Sequence, residues 1–303
     1  MRTQLSDALV SRAAEPNMVF LTGDLGFMAL EPLRDVMGTR FINCGIGEQN
    51  MVGVAAGLAR EGMNVWVYTI APFCYARAFE QIRNDICLHK LPVRLLGNGG
   101  GYGYGVMGPT HHALEDYGVL LTLPGMTAYV PAFDEDVAAV VQRAAVSPGP
   151  AYIRLGRGEL PAGVMPPTYA PWRRLLTGGG PVVVTTGPLA GSTIAALREL
   201  PGIGPELWVV SELPLGMAPP PAEFVAQIAA SGRLCVVEEH VEQGGLAQML
   251  AVWALTAGVT VHSFRHQYAH GYPSGLFGSQ AFHRRESSLD AASIREAVVA
   301  LAA

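Results

Sequence analysis

Short apolar runs alternate with helix-period stretches from one end of this chain to the other, and that alternation constrains the fold more than any other feature. Residues 18–22, 40–44, 65–70, 92–96, 127–130 and 151–155 read as strands. Residues 3–14, 31–37, 51–60, 75–89 and 134–147 read as the helices around them. Strands that are apolar at successive positions, rather than at every second one, are buried on both faces. They belong to a mostly parallel sheet with helices on either side. Residues 158–180 break the rhythm with Pro161, Pro166, Pro167, Pro171 and then Gly178-Gly179-Gly180. The alternation resumes with strands at 182–186, 207–211, 234–238 and 260–264, and helices at 194–200, 222–230, 246–257 and 291–301. The expected fold class is α/β, as two three-layer α/β domains with mostly parallel sheets. They occupy residues 1–160 and 181–303, with a linker at 161–180.

Composition narrows the function. Two domains suit 303 residues at roughly 100–200 residues each. Half the residues are hydrophobic and 15% are charged, so large cores are available and disorder is not expected. The net charge of −5 comes without a basic run or aromatic–basic interleaving, so no nucleic-acid partner is expected. The first residues carry no signal-peptide core, and no apolar stretch nears the ~18 residues of a membrane span. A cytoplasmic chain with no membrane partner is the expectation. Cys44, Cys74, Cys87 and Cys235 are scattered, with neither disulfide nor zinc spacing, so no metal site is expected in this chain. Lys90, the only lysine, lies in His-Lys-Leu-Pro, which excludes a Walker loop. No Gly-x-Ser-x-Gly elbow occurs.

One stretch stands out. Residues 43–58 read Asn-Cys-Gly-Ile-Gly-Glu-Gln-Asn-Met-Val-Gly-Val-Ala-Ala-Gly-Leu. A strand enters a glycine turn at Gly45 and Gly47, and a small-residue helix leaves it. Glu48 stands at the turn, ahead of a helix that reads as buried. An acid held against apolar packing tends to keep its proton; alternatively Glu48 simply caps the helix, as acids in first turns do.

This stretch closely resembles the Gly-x-(Gly/Ala)-Glu-Gln-Asn signature of transketolases and related thiamine-diphosphate enzymes. The resemblance implies that Glu48 hydrogen-bonds the aminopyrimidine ring of thiamine diphosphate and promotes its imino tautomer, with Ile46 of the same turn beside the cofactor. It implies a pyrimidine-binding fold followed by a transketolase C-terminal domain. Four further segments fall in the family's order. Thr22-Gly23-Asp24-Leu25 would place Asp24 near the cofactor or a dimer interface, unless Asp24 only caps a turn. Ala71-Pro72-Phe73-Cys74-Tyr75-Ala76-Arg77 supplies Phe73, or else Tyr75, to stack on the aminopyrimidine, while Arg77 faces the cofactor or pairs with a carboxylate. Gly97 to Glu115 holds seven glycines in twelve residues and ends in Gly-Pro-Thr-His. There His111 would line the substrate channel and assist proton transfer, with His112 beside it in a role left open. The Gly-x-Gly-x-x-Gly inside this loop lacks a strand–turn–helix context and is not a dinucleotide motif. Last, Tyr152-Ile153-Arg154-Leu155-Gly156-Arg157 puts Arg157 where the family binds a substrate phosphate, with a surface salt bridge as the alternative. Arg154 is expected within the strand.

Two departures matter. Met107 stands where many full-length relatives carry an aspartate that contacts the donor, so donor preference is open. The Gly-Asp-Gly and asparagine that hold magnesium and the diphosphate are missing. The resemblance therefore implies the smaller subunit of a split, thiamine-diphosphate-dependent transketolase. A separate N-terminal, diphosphate-binding subunit would hold most of the magnesium site, self-association would give an α2β2 assembly, and the substrates would be sugars or sugar phosphates. The competing readings are the β subunit of a 2-oxo acid dehydrogenase, a 1-deoxyxylulose-5-phosphate synthase fragment, and a non-catalytic scaffold. Gly-Pro-Thr-His and Arg157 favour transketolase over the first, and the joint presence of Glu48, Phe73 and His111 argues against the last.

Overall fold

The computed structural model describes residues 1–158 and 160–303. Its strands are β1 (Met18–Thr22), β2 (Phe41–Asn43), β3 (Asn64–Ile70), β4 (Val93–Asn98), β5 (Thr127–Tyr129), β6 (Ala151–Leu155), β7 (Trp172–Leu176), β8 (Val182–Thr186), β9 (Glu206–Val210), β10 (Glu212–Leu213), β11 (Arg233–Val237) and β12 (Ser263–Gln267). They form a sheet ordered β10-β5-β6-β4-β3-β1-β2 and another ordered β12-β11-β8-β9-β7. Among the described residues, every pairing between these strands is parallel except β10 with β5 and β7 with β9. Nor, among them, is any helix long and apolar enough to cross a membrane.

The continuous apolar runs are explained by where alternate side chains go. In β3, Val65 and Val67 enter one core while Trp66 and Tyr68 enter the core on the opposite face. In β1, Val19 and Leu21 are divided in the same way from Met18 and Phe20. Successive residues of a strand point to opposite faces, so both sets must be apolar when helices cover both sides. Helices Arg2–Val10, Glu31–Met37 and Val137–Ala145 cover one face, and Glu48–Arg60 covers the other. In the second sheet, Val183, Val209 and Val237 pack beneath helices Leu189–Arg198 and Ala291–Ala302. Val182, Val184 and Val236 join a core shared with the first sheet.

Several elements depart from the sequence expectation. The stretch 161–180, expected as a linker, holds β7, where Trp172 and Arg173 are buried and the strand edges the second sheet. Its Trp-Arg-Arg-Leu-Leu run follows Pro171 and lacks the apolar pattern of the other strands, because an edge strand needs less covering. The long helix expected at 75–89 is broken into Ala71–Tyr75, Phe79–Gln81 and a π-helical Ile82–Cys87. Such wide turns recur at functional sites, and here Ile82, Ile86 and Cys87 all reach the core. Strand β12 begins three residues later than expected and is half exposed, and helix Gln280–Glu286, capped by Ser279, has no counterpart among the expected elements.

Buried charges tie the pieces together. Asp136, ahead of helix Val137–Ala145, accepts from the two terminal guanidinium nitrogens of Arg173 at 2.6 and 2.7 Å, and both residues are buried. Arg154, buried in β6, pairs with Asp116 at 3.0 Å and donates to the carbonyls of Ala113 and Glu239. Glu239 accepts from Arg284, Gln280 and the Tyr102 amide. Glu238 accepts from His266, Tyr117 and the amides of Leu246 and Ala247. Burial opposes ionisation of both carboxyls, but these partners outweigh it and hold each below the usual carboxylate range.

Two consequences are measurable. Asp136→Ala leaves Arg173 buried without its counter-charge and is expected to destabilise the fold by about 3–5 kcal/mol in denaturant unfolding; a loss within experimental scatter would contradict the tie. Because the folded values of Glu238 and Glu239 lie below the ordinary 4.5, their stabilisation is complete above that pH. It is lost as pH falls through the folded values. Unfolding midpoints from pH 7 to 3 should fall more steeply below 4.5 in the wild type than in Glu239→Gln.

Candidate active site

In a mostly parallel sheet, ligands collect at the carboxyl ends of the strands. Gly47 ends the turn after β2, and Glu48 opens helix Glu48–Arg60 there. Its carboxylate is 3% exposed and has two partners. Thr69, near the end of β3, donates to one oxygen at 3.3 Å, and Arg77 donates to the other at 3.0 Å. Gly23, just past β1, approaches closely: a Cβ there would lie 3.2 Å from the Thr69 hydroxyl and 3.6 Å from the Glu48 carboxylate. Of the two alternatives for Arg77, pairing with a carboxylate is the one this structure has. The acid is buried but paired, because the break after Tyr75 brings Arg77 back over it. Ile46, Gly47, Glu48, Gln49, Asn50 and Arg77 line an open pocket of about 460 Å³, with Ile46 80% exposed.

From Glu48 a row of flat groups leads outward. The Arg77 guanidinium lies 3.7 Å from the Phe73 ring centroid, close enough for a cation–π contact. The edge of Phe73 meets His111 at 5.2 Å, and His111 meets Tyr104 at 5.7 Å. Thr110 bonds Nδ1 of His111 at 2.8 Å. Tyr104 accepts from Asn98, at the end of β4, and burial raises its hydroxyl above the ordinary value. Between the two candidate aromatics, Phe73 stands in this row. Tyr75 instead donates to Glu115 at 2.8 Å.

Tyr104 also borders a second cavity of about 480 Å³, which contains Arg157, Arg2, Gln4, Asn98 and Gly99. Arg157 is exposed there, just past β6. Arg154 is committed to Asp116 within the strand, as expected. Asp24 adopts a left-handed φ of 57° and accepts from Asn43 at 2.8 Å. It borders a separate cavity of about 200 Å³ with Thr22, Leu25 and Phe27. His112 is 4% exposed and bonds Tyr272 and the Gly105 carbonyl rather than facing the Glu48 pocket. Burial pulls its imidazole down to about 4, so it is neutral at pH 7. Met107 is half exposed on the glycine loop.

The structure adds Thr69, Tyr104 and Arg2 to the residues singled out by sequence. A polar residue near the carboxyl end of an otherwise apolar strand is the available signal for Thr69, and an aromatic inside a glycine run is the signal for Tyr104. Arg2 has no local signal, since only the tertiary arrangement sets the start of the first helix beside the residues that follow β6.

This geometry can be set beside known proteins. Residues 1–162 match the family described as transketolase, pyrimidine binding domain. The chain is 32% identical over 259 residues to one subunit of the apulose-4-phosphate transketolase of Phocaeicola vulgatus, covering 82% of this chain and 81% of that one. It is 34% identical over 278 residues to 1-deoxy-D-xylulose-5-phosphate synthase 2 of Geobacter sulfurreducens, covering 87% of this chain but 42% of that larger protein. A solved structure described as a split gene transketolase, inactive beta4 tetramer, superposes with a TM-score of 0.82 at 29% identity, over 99% of this chain and 97% of that one. The sheets, the order of the motifs and these matches agree: the chain belongs to the transketolase family and carries its pyrimidine-binding and C-terminal sections.

Proposed function

We propose that this chain is one subunit of a two-chain transketolase. It would move a two-carbon ketol unit from a ketose, in phosphorylated form, to an aldehyde acceptor, with a second subunit completing the site. The observation that carries this reading is the slot between Glu48 and Phe73. Its present occupant, the Arg77 guanidinium, is flat, rich in N–H groups, stacked on the ring and bonded to the acid. An aminopyrimidine is likewise flat and could stack on Phe73 with an edge towards the Glu48 carboxyl, so the residues fit the pyrimidine end of thiamine diphosphate. Arg77 is half exposed, and its guanidinium would have to leave the slot for a pyrimidine to enter. When bound, thiamine diphosphate supplies the carbanion chemistry that breaks and makes the ketol carbon–carbon bond.

The roles of this chain's residues follow from their places. Glu48 would hydrogen-bond a ring nitrogen of the pyrimidine, sharing a proton with it and so favouring the imino tautomer, while Phe73 would support the ring's face. His111, beyond Phe73 in the same row, would exchange a proton with the oxygen of the substrate carbonyl or hydroxyl. Arg157 offers a planar fork for the distal phosphate in the cavity that Tyr104 joins to His111. Ile46, Phe27 and Met28 are 80%, 70% and 94% exposed. Large apolar side chains exposed around a site mark a surface that another chain covers. That chain would hold the diphosphate and most of the magnesium site. The similar split transketolase, described as inactive as a tetramer of β chains, supports the view that such a chain does not work alone.

The test is to assay ketol transfer by the purified chain, by the chain mixed with its diphosphate-binding subunit, and by the same mixture carrying Glu48→Gln. Only the wild-type mixture should turn over. The variant should bind thiamine diphosphate yet lose at least ~100-fold in rate, within the range of a misplaced proton-transfer group. Turnover by the single chain, or an unaffected variant, would reject the assignment.

A further inference from the structure

The glycine loop that presents His111 to the cleft is gripped from behind by the C-terminal section. Tyr102 donates to Gly271 and bonds Ser287, both at 2.9 Å, and its ring stacks on His283 at 5.0 Å. Gly105, with φ 50°, lies so close to the segment 278–280 that a Cβ would come within 3.1 Å of the Gln280 amide. Phe277 lies against Gly108. His112 sits at the centre of this grip, its ring parallel to Tyr272 and edge-on to both Tyr102 and His283.

The hydrogen bonds of His112 are directional. Its Nε2 is 2.9 Å from the Gly105 carbonyl, which can only accept, so the proton of the neutral ring is on Nε2. Nδ1 then carries a lone pair, and the Tyr272 hydroxyl 2.8 Å away donates to it. The Gly105 carbonyl thereby selects the tautomer, and Tyr272 holds the ring in it by donating to the remaining lone pair. The amides of His111 and His112 both donate to the Gly108 carbonyl, at 3.0 and 3.2 Å. The two imidazoles therefore share one turn of backbone, with one turned into the protein and the other towards Phe73 and the cleft.

We propose that His112 and Tyr272 are positioning residues that set where the His111 imidazole stands, and that the C-terminal section contributes to the site through them. This rests on the reading that His111 acts on the substrate. A loop with glycines at Gly99, Gly101, Gly105 and Gly108, all in left-handed φ, has little backbone preference of its own. Its shape has to be imposed by contacts.

The test uses the full chain with Tyr272→Phe, which deletes one hydroxyl, and with His112→Gln and His112→Ala. In the single chain, amide hydrogen exchange across residues 103–111 should speed up by about tenfold in Tyr272→Phe and His112→Ala, the scale of one lost buried hydrogen bond. His112→Gln should stay near wild type, because its amide both donates and accepts. In the mixture with the diphosphate-binding subunit, kcat should fall by a similar factor, about tenfold, in the first two variants. The thiamine-diphosphate Kd should stay near wild type. Unchanged exchange in Tyr272→Phe and His112→Ala, or equal losses in the Gln and Ala variants, would overturn the proposal. If the wild-type mixture has no turnover, the ketol-transfer reading fails, and the exchange measurement still decides whether Tyr272 and His112 hold the loop.

Discussion

The structure depends above all on burying both faces of mostly parallel sheets. Val65, Trp66, Val67 and Tyr68 of β3 are all withdrawn from water, on alternating sides. Polar groups on such a face are committed to internal partners, as Arg154 is to Asp116. Chemistry is therefore confined to the ends of the strands, and the residues that gather there come from loops after β1, β2, β3, β4 and β6. Glu48, Thr69, Phe73, His111 and Arg157 share one edge for this reason, although they are spread over more than a third of the chain.

A second constraint is that the two sections are not separable beads. β10, from beyond the second section's start, completes the first sheet by pairing with β5. Asp136 and Arg173 lock the turn before a first-section helix to β7. Glu239, in the second section, receives the Tyr102 amide of the glycine loop and is itself held by Arg284 and Gln280. Buried ion pairs of this kind add little net stability compared with well-packed apolar groups, but breaking one leaves a charge stranded. They hold the sections in one relative arrangement, and the glycine loop is shaped along that seam.

The architecture is legible in the sequence wherever a rule acts locally. Strand β1 and helix Glu31–Met37 have the expected bounds because their turn signals and apolar patterns lie within a few residues of their ends. Glu48 is legible too, since a glycine turn followed by a small-residue helix leaves an acid with few other places to stand. β7 escapes the pattern because an edge strand rich in arginine resembles a linker. The broken helix after Ala71 escapes it because the wide turn is enforced by packing at Ile82 and Ile86, which a periodic pattern does not record.

By itself, then, the sequence determined the class of fold through short-range patterning, and its resemblance to the transketolase motifs nominated the acid, the aromatic and the histidine in their order. The tertiary structure alone decided the partners. It set Arg77 against Glu48, 29 residues away, stacked on Phe73. It joined His112 to Tyr272 across 160 residues and turned His112 inward while its neighbour His111 faces the cleft. Such contacts are fixed by how sheets and helices pack in three dimensions, and no spacing along the chain encodes them.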